Sequence, residues 1–116
     1  MKHANGTALK VEFNGDFRIC CCLDCCKRWY FTFNGVECSG PLAIDGIDHI
    51  LESHRRTDTN RHKTSQIGGY CQGIPSGIVQ VGINVGNCVG KIPGDAYTGW
   101  NSVTRVMVEE MPPPQK

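Results

Sequence analysis

Apolar and polar residues alternate with a period of two along most of this chain, and helical spacing is nearly absent. The clearest case is Val79-Gln80-Val81-Gly82-Ile83-Asn84-Val85, where the aliphatic residues face one way and Gln80, Gly82 and Asn84 the other, as in a strand covered on one side. Pro75-Ser76-Gly77 and Gly86-Asn87 bound it with turn formers. A second strand is predicted from Phe13 to about Cys22, with Phe13, Phe17, Ile19 and Cys21 of one parity. A third, from Arg28 to Phe33, places Trp29, Phe31 and Phe33 on one face and ends at Asn34-Gly35, a strong hairpin signal. The last runs from Ser102 to Glu109 and gives way to Pro112-Pro113-Pro114.

Pro41 to Glu52 carries Leu42, Ile44, Ile47, Ile50 and Leu51 at helix-like intervals, but Pro41 and Gly46 reduce the expectation to an extended segment with one helical turn. Residues 53–69 are polar and aperiodic, which predicts a long loop or a polar edge strand. Short strands between glycine-rich turns predict an all-β domain, a β-sandwich or jelly roll. It is expected to span residues 9–110, with an N-terminal leader (1–8) and a Pro-rich tail (111–116) on either side.

At 116 residues the chain forms one domain, large enough to bury roughly 65% of its unfolded surface in a genuine core. Twelve Lys and Arg against eleven Asp and Glu leave a net charge of +1, which excludes the basic field of a nucleic-acid-binding domain. No apolar run approaches the ~20 residues of a membrane span, and residues 1–7 hold no apolar stretch of the kind a secretory leader requires. The chain is therefore expected to be either cytosolic or a mature part of a secreted protein.

Cysteine usage decides between these. Eight cysteines are present, and five crowd into Cys20-Cys21-Cys22-Leu23-Asp24-Cys25-Cys26. Secretion would turn them into staples; a reducing compartment would favour metal or redox chemistry. Cys22 and Cys25 have the gap of a zinc knuckle or a thiol-redox pair. A second knuckle is missing, however: Cys71 and Cys88 stand alone, and His49 and His54 lie too far downstream for a finger. The βαβ setting of a redox motif is missing too. A disulfide framework is the stronger reading, with a zinc-binding or thiol-redox module as the alternative. Strand parity turns Cys21 inward and Cys20 and Cys22 outward, where they are suited to bridging another chain. Adjacent cysteines such as Cys25 and Cys26 seldom bond to each other, so their partners are expected among Cys38, Cys71 and Cys88. Eight cysteines permit 105 pairings, and the sequence selects none.

No nucleophile elbow, phosphate loop or dinucleotide fingerprint occurs, so no catalytic residue, cofactor or metal ligand is assigned. Asp45, Asp48 and Asp95 do not form a recognisable calcium loop. His54 to Lys63 gathers Arg55, Arg56, Arg61 and Lys63 around a single acid. That is either a candidate patch for sulfated glycans or a solvated loop whose charges prevent edge pairing, the blander and favoured reading. Asp95 to Asn101 contains Tyr97 and Trp100, which fit a surface recognition loop or, for Trp100 the better reading, a packed anchor. Asn5-Gly6-Thr7 is a glycosylation triplet that marks Asn5 as a candidate acceptor.

Several segments together resemble a known family. Arg28-Trp29-Tyr30-Phe31-Thr32-Phe33-Asn34-Gly35, then Glu37-Cys38-Ser39-Gly40-Pro41, and later Gly94-Asp95 with Thr98-Gly99-Trp100-Asn101-Ser102-Val103, are similar to the C-terminal domain of the collagen triple helix repeat containing proteins. The resemblance covers about residues 9–110, and Cys21, Cys25, Cys26, Cys38, Cys71 and Cys88 fall where that family's cysteines are expected. Cys20 and Cys22 are departures from its pattern, and the glycosylation triplet of the vertebrate member is missing around Asn60. The resemblance implies a secreted extracellular-matrix protein with a collagen-like stretch upstream and a homotrimeric jelly-roll head similar to complement-type and tumour-necrosis-factor-like folds. It also implies contacts with Wnt ligands or receptors at the cell surface. A trimeric head has a physical rationale, because a triple helix must align three chains in register before it propagates. Threefold packing further predicts apolar side chains beyond the needs of one sandwich. Parity does not say which face of Val79 to Val85 or of Ser102 to Glu109 supplies them.

Overall fold

Odd-numbered residues of the first strand, β1 (Ala8–Cys20), are apolar, and Leu9, Val11, Phe13, Phe17 and Ile19 are all buried. The even positions Lys10, Glu12, Asn14, Asp16 and Arg18 form the opposite face, the alternation of a strand covered on one side. The second strand, β2 (Asp24–Phe33), repeats this with Cys25, Trp29, Phe31 and Phe33 inward. These two strands are the middles of two sheets whose apolar faces pack together.

A computed structural model describes residues 1–20, 24–51, 60–88, 95–99 and 104–112. Within them the chain is all-β. The other strands are β3 (Val36–Glu37), β4 (Asp45–Leu51), β5 (Asn60–Cys71), β6 (Val81–Asn87), β7 (Asp95–Thr98) and β8 (Arg105–Met111). In one sheet β1 is flanked by β5 on one side, and by β8 and β7 in succession on the other. In the second, β2 is flanked by β3 and β4 on one side and β6 on the other. All these pairings are antiparallel.

The hairpin after β2 turns through Asn34 and Gly35, with φ of 53° and 84°. Two successive positive φ values are what a two-residue hairpin turn requires, and Asn-Gly tolerates them best. Where the sheets come closest, glycines make room: a Cβ on Gly46 of β4 would stand 2.8 Å from Ile67 Cδ1 on β5, and one on Gly69 3.1 Å from Ile44.

Two expectations are corrected, and one pair of alternatives is decided. The predicted helical turn between Pro41 and Glu52 is absent among the described residues, and β4 occupies that stretch through Leu51. Of the two readings of the polar stretch 53–69, the edge strand holds from Asn60 onward, where β5 pairs with β1, and 52–59 lie outside the described residues. β1 also starts at Ala8, five residues before the predicted strand.

Candidate interaction surface

Because β1 and β2 each put aromatic residues on the shared face, the sheets meet ring to ring. Phe17 stacks on Trp29 with centroids 4.0 Å apart and planes 3° from parallel, and Phe13 stacks on Phe17 at 5.2 Å. The buried indole N–H of Trp29 donates to Thr98 Oγ1 at 2.8 Å, which ties β7 to this centre. Full burial of each such ring contributes roughly 1.5–3 kcal/mol.

Disulfides fasten the sheets, and two of them join described residues. Cys26 of β2 bonds to Cys88, just past β6, and Cys38 bonds to Cys71 at the end of β5. The first closes a separation of 62 residues and stays within one sheet; the second spans 33 residues and joins the β3 end of one sheet to an edge of the other. Cys25 is also disulfide-bonded, and no described cysteine is free. Cys26 thus reaches a distant partner, whereas Cys38 and Cys71 take each other rather than the cluster. These bonds argue against the zinc alternative, since Cys25, the second half of the Cys22/Cys25 knuckle, is disulfide-bonded and not a thiolate.

Polar contacts on the second sheet bind its strands laterally. Arg28 on β2 pairs with Glu37 on β3 and, at 2.6 Å, with Asp45 on β4. The Glu37 carboxylate above all, with Asp45 assisting and burial opposing, holds the guanidinium even more firmly protonated than usual. On the first sheet, cation–π contacts join register partners: Lys10 with Tyr70, and Arg18 with Tyr97 at 4.7 Å.

Residues 1–7 are held against the strands. Lys2 and Gly77 exchange both backbone hydrogen bonds at 2.8 Å. Glu110 of β8 accepts from the His3 N–H at 2.6 Å, the Thr7 hydroxyl at 2.7 Å and the Ala4 N–H at 3.2 Å. The Thr7 hydroxyl first, and then the His3 amide, pull the Glu110 carboxyl below its ordinary pKa. Asn5 is exposed, and its side-chain oxygen accepts from the Ser76 N–H at 2.7 Å.

The candidate glycan patch is only partly described. Arg55 and Arg56 lie outside the described residues, as do Cys21, Cys22 and Trp100. Arg61 and Lys63 fall on β5 at the register positions opposite Ile19 and Phe17, and His62 opposite Arg18. Cys20 ends β1 opposite Asn60 on one side and Asp95 on the other. Asp45 is committed to Arg28, and Asp48 is buried at the register position opposite Lys27, which itself donates to Asn87.

Sequence reasoning named the strands now seen as β6 and β8 as sources of surplus apolar side chains but did not assign the face, and the exposed residues include ones on the core face. On β8, Val106 and Val108 are register partners of Phe13 and Val11, so they belong to the core face, yet they are 44% and 48% exposed. Val85 on β6, opposite Trp29, is 42% exposed. Between the two strands opens a cavity of about 180 Å³ lined by Leu9, Val79, Val81 and Val108, with Met1, Lys2 and Glu110 also on its wall.

Taken together, these features define a disulfide-stapled, all-β domain whose sandwich is unfinished along one side. The family model described as CTHRC1, C-terminal domain matches residues 1–108, and the chain belongs to that family. No solved structure matches the chain. Family membership and the disulfides together fit a collagen-associated extracellular domain.

Proposed function

We propose that this chain is a secreted, non-enzymatic trimerisation head of the extracellular matrix. It folds as a jelly roll, nucleates an upstream collagen-like triple helix, and presents its threefold surface to matrix or Wnt-pathway partners. The observation that carries this reading is the family match over residues 1–108. The disulfides support it, since such bonds persist in oxidising compartments. Nucleation follows from chain-entropy arguments: three tethered collagen-like segments meet at a high effective concentration, whereas free ones must first collide in register. Weak contacts of each head with glycosaminoglycans or receptors would be multiplied by avidity in the same way.

The test is refolding of a chain that carries a Gly-X-Y segment ahead of this domain, followed by circular dichroism. With the head folded, triple-helix recovery should be first-order and independent of concentration. Recovery that remains third-order, as for the isolated segment, would overturn the nucleating role.

A further inference from the structure

The two long sides of the sandwich are finished differently. Along β4 and β5 the glycines at 46 and 69 let the sheets close, and Ile44 and Ile67 are only 7% and 5% exposed. Along β6 and β8 the sheets part over the cavity, and core-face residues stand half in water. We propose that this β6–β8 seam is the face through which three copies of the chain associate, each copy covering Val85, Val106 and Val108 of its neighbours. The inference rests on the trimeric reading above and deepens it by naming the surface.

Three observations favour a second copy as the occupant. First, the aliphatic groups of the seam, Leu9, Val79, Val81 and Val108, are accompanied by two charges that are both engaged within the chain, Glu110 by His3, Ala4 and Thr7, and Lys2 by the Ala4 carbonyl. An apolar face of this kind is complementary to itself. Second, β8 is an edge strand among the described residues, and its charges, Arg105, Glu109 and Glu110, stand toward its two ends, so that its middle presents three consecutive exposed apolar residues, Val106, Met107 and Val108, with no charge among them. Third, Met1 and Lys2 line the same cavity, and Lys2 pairs with Gly77 just before β6. Seams turned toward a common axis therefore bring three N-terminal segments together, where a triple helix entering from that side needs them.

The test is a Val106→Lys, Val108→Lys double variant, examined by light scattering beside the wild type and a Val36→Lys control. Both seam positions are already half exposed, so lysines there can reach solvent without unfolding one copy. Val36 is an exposed apolar residue away from the seam. The wild type and the control should have the mass of three chains, and the double variant that of one. A double variant that stays trimeric would overturn the seam while leaving the trimeric reading intact; a monomeric wild type would overturn both. If the double variant does not fold, hydrogen exchange on the wild type decides. Amides of β8 protected at high concentration and released on dilution support the seam, and rates unchanged by dilution overturn it.

Discussion

Phe17 and Trp29 illustrate how much one pair of residues can hold. Their rings meet in parallel at 4.0 Å between the two sheets, and Phe13 and Thr98 lean on them. Phe17→Ala should cost about 3–5 kcal/mol, the range for emptying a buried aromatic site, read as a lowered denaturant midpoint with an unchanged m-value. Parity alone reveals such residues, because a large aromatic every second position has one physical use. It does not reveal Glu110, whose partners His3, Ala4 and Thr7 lie more than a hundred residues away and follow no period. Since its folded pKa is depressed, the contribution of Glu110 is complete above the ordinary carboxylate range and is lost as pH falls through the lower folded value. Amide exchange at His3 and Ala4 should therefore be steady from pH 7 to 5, once corrected for intrinsic rates, and accelerate below about pH 4. The same acceleration at neutral pH is expected of Glu110→Gln. An unchanged His3 in that variant would mean that the carboxylate does not hold the segment.

The strands differ in how openly their sequences declare them. β2 is plain, since Trp29, Phe31 and Phe33 alternate with polar residues up to the Asn34-Gly35 turn. Gly35→Ala should cost about 1 kcal/mol from backbone strain alone, because φ is +84° and nothing within 4 Å would obstruct a methyl group. A thermal melt unchanged by that substitution would contradict the turn. β5 is concealed, because from Ser65 onward its inward residues are Ser65, Ile67, Gly69 and Cys71, and of these Ile67 is the one large aliphatic. Close approach to β4 demands small residues there, so the strand is written in glycine and serine instead of an apolar stripe. β4 misleads in the opposite sense: Ile44 ahead of it is buried and Ile47 within it is 59% exposed, so their spacing of three does not mark one helical face. Charged residues at core positions, such as buried Lys27 beside Asp48, hide from pattern reading for the same reason.

Across the entire fold, the stabilising elements are a core shared by two sheets and disulfides that close long separations. By chain entropy, a crosslink across 33 residues stabilises by about 4 kcal/mol. Replacing Cys38 and Cys71 together by serine should lower unfolding free energy by about 2–5 kcal/mol, and a loss below about 0.5 kcal/mol would mean that the unfolded chain is already constrained there. The all-β class and the aromatic core were legible in the sequence, and so was the family. The unfinished seam was not, because parity reports which way a side chain points and is silent on whether anything covers it. Val106 and Val108 satisfy every rule for core residues and still face water. That mismatch makes solution mass the most direct measurement on this protein. Light scattering at micromolar concentration, with reducing and non-reducing gels of the same sample, should give three times the 12.8 kDa chain mass and negligible free thiol. A single-chain mass across that range would contradict the trimeric head.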